Sequence, residues 1–120
     1  ARLTEPDVMS LTFYGLKSCD SCRAALKALQ AAGIDVEVRD VRENGVPEAV
    51  LGAALATHGA DKLVNRRSTT WRGLDETSRQ MDPVALIGAH PSLMKRPLIM
   101  TQDGSSSIGW DAAARAVHGI

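Results

Sequence analysis

The stretch FYGLKSCDSCRAALKAL, Phe13 to Leu29, holds both cysteines of the chain with two residues between them. It constrains the fold more than any other segment. A short, apolar, β-prone run, Ser10 to Gly15, leads into it and reads as a strand ending in glycine. From Ser21 onward, Ala24, Ala25, Leu26, Ala28, Leu29 and Ala32 recur at helical spacing, with Arg23, Lys27 and Gln30 between them. Gly33 is a C-terminal cap for that helix. After it, Ile34, Val36 and Val38 alternate with Asp35, Glu37 and Arg39, the pattern of a second strand. A strand, a helix and a strand in this order predict a parallel, right-handed unit.

Two packing cysteines would not need this spacing, and a structural disulfide usually closes a longer loop, because short loops restrict the unfolded chain less. A helix start explains the spacing better. Backbone N–H groups there lack partners and carry partial positive charge. A thiolate at that place is stabilised, so its pKa falls and it becomes nucleophilic at neutral pH. Cys19 falls at the helix mouth. Cys22, one turn in, is placed to attack a mixed disulfide formed on Cys19. Lys17 and Arg23 add positive charge nearby. A C-x-x-C between strand and helix in such a unit reads as a thioredoxin-like redox motif. Zinc requires four ligands, yet there is no second cysteine pair, and His58, His90 and His118 are scattered. Haem attachment requires histidine after the second cysteine, where Arg23 stands. The plainest alternative leaves the cysteines as two ordinary small residues, one of them buried.

Further along, ENG turns the chain, and PEAVLGAALATHG reads as a helix with Pro47 in its first turn and a stop at Gly59. ADKLV gives one more short turn. NRRSTTWRGLDE reads as a polar, basic loop, and DPVALIGAH as an apolar helix to about His90. RPLIM and SIGW read as two strands joined by TQDGSS, and Asp111 caps a last helix, DAAARAV. The chain has 120 residues, 44% of them apolar, enough for one domain without staples. We expect an N-terminal extension over residues 1–9 and a single domain over 10–120. Fourteen basic and fourteen acidic side chains balance, which gives no electrostatic case for direct nucleic-acid or anionic-membrane binding. No apolar run approaches the roughly 20 residues of a spanning helix. The polar start, with Glu5 and Asp7, is unlike a signal peptide. A reducing, cytoplasmic setting is the expectation.

Four stretches in order resemble one family, the arsenate reductase-like (ArsC/Spx/YffB) branch of the thioredoxin-like fold. YGLKSCDSCRAALKAL resembles its first strand, cysteine loop and first helix. LVNRRSTTWRGLDE resembles its mid-chain basic loop, HPSLMKRPLIM its Arg-Pro segment, and IGW with Asp-Ala-Ala its closing strand and helix. The resemblance runs from Ser10 to Val117. It implies an α/β fold, a thioredoxin-like mixed sheet with a helical insertion between its βαβ and ββα halves. The order βα β ααα ββ α fits this independently. It also implies a cis Arg96–Pro97 bond beside the active cysteine, a minority state at about 5–6% of such bonds.

By resemblance Cys19 is the nucleophile and Arg96 the arginine beside it. Arg67 matches an arginine of the YffB-like and Spx members, and Pro97 and Lys17 join the substrate pocket. True arsenate reductases carry another arginine before the last helix, where this chain has Gly109 and Trp110, and they lack a cysteine at the place of Cys22. The expectation is a small thiol–disulfide oxidoreductase rather than an arsenate reductase. It would have no metal or bound cofactor and would be served by glutathione, glutaredoxin or another thiol/disulfide protein. The other class the resemblance offers is an Spx-like redox-switched regulator that binds the C-terminal domain of the RNA polymerase alpha subunit. Gly59 falls where Spx has a glycine at that surface. Ser68, Thr69 and Thr70 are expected to cap a helix. Trp71 is read as core or pocket wall, and Trp110 as core.

Overall fold

A computed structural model describes residues 11–101 and 104–120. The expected 1–9 extension, the expected strand start at Ser10 and the middle of the TQDGSS turn lie outside the described residues. In chain order the elements are β1 (Leu11–Gly15), α1 (Asp20–Ala31), β2 (Val36–Asp40), α2 (Val41–Asn44), α3 (Glu48–His58), α4 (Ala60–Leu63), α5 (Thr69–Arg72), α6 (Glu76–Arg79) and α7 (Pro83–Ala89). A 3-10 turn, Pro91–Leu93, then leads to β3 (Leu98–Thr101), β4 (Ser106–Ile108) and α8 (Ala112–Val117). This is the α/β, thioredoxin-like architecture with the helical insertion between its two halves. The chain divides into two compact units: the residues up to Asp40 with Arg96–Ile120, and Val41–Lys95.

The first unit is built on a four-stranded mixed sheet in the order β2-β1-β3-β4. β1 runs parallel to β2, with Phe13 opposite Val38 and Gly15 opposite Asp40. It runs antiparallel to β3, and β3 pairs antiparallel with β4. Helix α1 presents Cys22, Ala25 and Leu29 to a cluster with Leu11, Phe13, Ile34 and Ile99. Of the residues whose spacing marks the helix, Ala25 and Leu29 are buried, while Ala24 and Ala32 are exposed. Leu29 and Ile99 are fully buried, and each such side chain contributes roughly 1.5–3 kcal/mol. Gly33 ends the helix at a φ of 78°, a conformation that glycine takes without penalty from a side chain. The Arg96–Pro97 bond is cis, as the resemblance implies.

The alternating run forms β2 as expected, with Val38 44% exposed on it. Two expectations need correction. The expected loop NRRSTTWRGLDE contains one helical turn, α5, and runs into a second, α6. Each is opened by a side-chain cap: Ser68 accepts from the Trp71 N–H and Asp75 from the Ser78 N–H. Four-residue helices have no amphipathic stripe to read. The last strand stops at Ile108, because Gly109 turns at a φ of 79° with its N–H on the Pro97 carbonyl at 2.9 Å. Trp110 therefore lies outside β4.

The insertion buries Val41, Leu51, Ala54, Leu63, Val64, Leu86, Ile87, Leu93 and Met94. Helix α7 starts on Asp82, which accepts from the Ala85 N–H at 3.3 Å, with Pro83 next, as DP suggests. Trp71 is half-buried between two guanidinium groups, Arg66 and Arg79, each 5.6 Å from its ring centre. It is a platform for cations, neither core nor a demonstrated pocket wall. Among the described residues no helix is long and apolar enough to cross a membrane.

Candidate active site

β1 ends at Gly15, and Leu16 tucks inward while Lys17 and Ser18 stay exposed. The Cys19 N–H then donates to the Leu16 carbonyl at 3.1 Å, a tight turn that delivers Cys19 to the N-cap of α1. Cys19 has extended backbone there, and its carbonyl accepts from the Arg23 N–H at 3.0 Å. Both cysteines are free thiols. Cys19 is partly exposed and Cys22 is buried.

Their environments push them apart. Burial would raise the Cys19 thiol, but opposing contacts outweigh it. The Cys22 N–H and the Cys22 thiol donate to it, and the Arg96 guanidinium hydrogen-bonds it and adds a permanent charge; the net pKa lies below the ordinary value. No side-chain hydrogen bond closes the cap while Cys19 is a neutral thiol. The Cys22 N–H stabilises the sulfur when it is ionised. Cys22 is pushed up to about 11. Burial is the main cause, and its hydrogen bond to Cys19 and the Cys19 charge add to it against the lowering effect of the Leu16 N–H and Arg96. Within one helical turn Cys19 is thus pushed toward the thiolate and Cys22 toward the thiol.

The structure thus brings Cys19, Cys22 and Arg96 together, with the buried Pro97 next to Arg96 in the chain. Lys17 lies exposed two residues before Cys19. Arg23 is engaged by Asp20 in an exposed ion pair, so its charge is largely satisfied locally, contrary to the role expected for it. Arg67 is exposed on the insertion between α4 and α5, its backbone N–H held by Asn65 Oδ1 at 3.1 Å.

Two participants were not legible beforehand. The Leu16 N–H, a backbone donor to Cys22, leaves no mark on residue type. The other is Trp110, which, like Cys19, packs against the cluster containing Cys22. Trp110 also stacks on His118, ring centres 6.3 Å apart, while His118 Nε2 lies 2.8 Å from Ser107 Oγ. Burial lowers the His118 pKa. Among the described residues no group of three or more histidine, cysteine or acidic side chains is placed to hold a metal ion.

A curated relative from Haemophilus influenzae, an uncharacterized protein, is 39% identical over 105 residues, covering 84% of this chain and 91% of its own. The regulatory protein MgsR of Bacillus subtilis is 32% identical over 95 residues, 75% of each chain. The solved structure of the YFFB protein superposes with a TM-score of 0.81 at 29% identity, over 90% of this chain and 97% of that one. The family model described as the ArsC family matches residues 14–116, a span that includes both cysteines, Arg67 and Arg96. The chain belongs to the ArsC family.

Proposed function

We propose that the protein is a thiol–disulfide oxidoreductase in which Cys19 is the nucleophile and Cys22 the resolving thiol. One observation carries this reading: the two sulfurs are driven in opposite directions within a single helical turn. The Cys19 thiolate attacks one sulfur of a substrate disulfide, a bond forms to Cys19, and the other half leaves as a thiolate that takes up a proton. Cys22 then loses its proton and attacks Cys19 Sγ, and the first half of the substrate departs. In the mixed disulfide Cys19 carries no charge, so two of the influences that hold Cys22 protonated are gone, while the Leu16 N–H and Arg96 remain. A thiol donor, glutathione or glutaredoxin, returns both cysteines to the reduced state. Lys17 would contribute positive charge for an anionic thiol substrate such as glutathione.

Titrating free thiols across a graded redox buffer tests this. Both thiols should disappear together and return together. Retention of two free thiols under mild oxidant, or only intermolecular dimers, would show that Cys22 does not resolve. Arsenate should be a poor substrate, because glycine stands at 109 where arsenate reductases carry a further arginine. Thiol-coupled turnover of arsenate at the rate of a true arsenate reductase would overturn that.

The MgsR relative favours a second reading, a redox-switched regulator in which the same pair is the sensor. Capture by the C-terminal domain of the RNA polymerase alpha subunit, dependent on the oxidation state of the cysteines, would select it.

A further inference from the structure

Of the ten glycines, Gly15 alone has no room for a side chain. A Cβ built on it would lie 2.7 Å from Cys22 Sγ and 2.8 Å from Phe13 Cε1, closer than real Cβ atoms approach anything. Its backbone cannot retreat easily, because it closes β1 in register with Asp40 of β2. Phe13 and Cys22 are both buried, 2% and 3% exposed, so neither withdraws freely, and a larger residue must displace the Cys22 sulfur, the Phe13 ring or both.

We propose that Gly15 is the positioning residue for Cys22: its missing side chain is the seat in which the sulfur lies, and a larger residue there drives Sγ off the end of β1. The seat has a second wall. The N–H of Leu16, the next residue, donates to the Cys22 sulfur when it is charged. From the same seat the Cys22 thiol donates to Cys19 and helps hold it as the thiolate.

The use of the seat in turnover rests on the thiol-exchange reading above. When a donor thiolate attacks Cys19 of the Cys19–Cys22 disulfide, the new bond forms at Cys19, the old S–S bond breaks, and its electron pair leaves on Cys22. That sulfur leaves into the seat, against the Leu16 N–H, and is later protonated. A sulfur displaced from the seat is a poorer leaving group and a poorer partner for Cys19.

The test is the pH midpoint of Cys19 alkylation in reduced protein, for Gly15→Ala with Cys22 present and with Cys22→Ala. With Cys22 present, Gly15→Ala should raise the midpoint by about half a pH unit, a roughly threefold fall in thiolate below the midpoint. In the Cys22→Ala background the contact with Sγ is gone and the one with Phe13 Cε1 stays, and Gly15→Ala should leave the midpoint unmoved because no Cys22 thiol remains to be displaced. An equal shift in both backgrounds, or none in either, overturns the proposal. If Gly15→Ala fails to fold, the comparison is made with Phe13→Leu present: recovery of folding by Cys22→Ala there supports the seat, and failure of that variant overturns it. Gly15→Ala with Phe13→Leu controls for the ring: the midpoint should stay raised, and a return to the wild-type value would assign the contact to Phe13 instead. Disulfide formation in the wild-type protein is scored separately. Its failure would remove the exchange reading while the alkylation midpoints still decide the seat.

Discussion

In the sheet unit, side chains from two strands, one helix and the link between α1 and β2 meet in a single cluster, and the buried thiol Cys22 is one of its members. In the insertion, seven-residue and eleven-residue helices are strung with four-residue turns. Three of its helices open on a polar cap, Ser68, Asp75 or Asp82. The first unit is organised by a sheet that pairs strands distant in sequence; the second buries its own apolar core, Leu51, Leu63, Leu86 and Leu93 among it, around short, locally capped helices. Chemistry that needs sulfur, guanidinium and backbone N–H fixed together falls on the first. The exposed cations Arg66, Arg67 and Arg72 fall on the second. Rigid elements position a reactive group more tightly than a chain of short turns does.

Core truncation should give the largest effect. Leu29→Ala leaves a cavity in the cluster and should destabilise by about 2–5 kcal/mol. It should also raise the Cys19 alkylation midpoint, because α1 carries both cysteines. Urea denaturation and alkylation together check this. A loss no larger than that of a cap substitution in the insertion would erase the distinction between the units.

Next is Arg96→Ala, measured in a Cys22→Ser background. Removing a permanent positive charge from beside the thiolate should raise the Cys19 midpoint by about one pH unit. Arg96→Lys should recover part of it. An unchanged midpoint would remove Arg96 from the machinery.

The caps should come third and should be alike in the two units. Asp82→Ala on α7 and Asp111→Ala on α8 each remove an acceptor from a backbone N–H, Ala85 and Ala114 respectively. Each should cost about 1 kcal/mol. A cap loss in the insertion that also displaces the Cys19 midpoint would mean that the site depends on the insertion's local order.

The last effect vanishes at neutral pH, where the others are read, and belongs to the alkaline limb of the stability curve. Cys22 is raised in the folded protein to about 11, so above its unfolded pKa of about 8.5 the unfolded chain binds fewer protons than the folded one. Stability from this group is complete below that pKa and falls as pH rises toward about 11. Cys22→Ala should flatten the fall. An identical alkaline slope in both proteins would contradict the buried, protonated state.

What the sequence disclosed follows the same division. Helix α1 and the strands β1 and β2 were legible from their periods. The Arg96–Pro97 geometry came from resemblance alone. The cap at Ser68 was expected, but α6, four residues announced by Asp75, looks like any polar loop. Alternation placed Val38 on a strand, but alternation does not tell a terminal strand from a central one. The contact between Gly15 and Cys22 joins a strand end to a helix turn across seven residues, and neither residue type signals it.

Among the described residues β2 has a strand on one side only, and Val38 is exposed on it. A flat apolar edge invites strands from neighbouring molecules to add to the sheet. Here Glu37 and Arg39 flank Val38 and pair with each other, Arg39 Nε to Glu37 Oε2 at 2.6 Å. An incoming backbone would have to settle beside both charges and strip water from them. The consequence concerns the crowded solution rather than the single molecule: a sheet that ends in a charge pair resists growing into a polymer, and one valine on its rim is not enough to seed one.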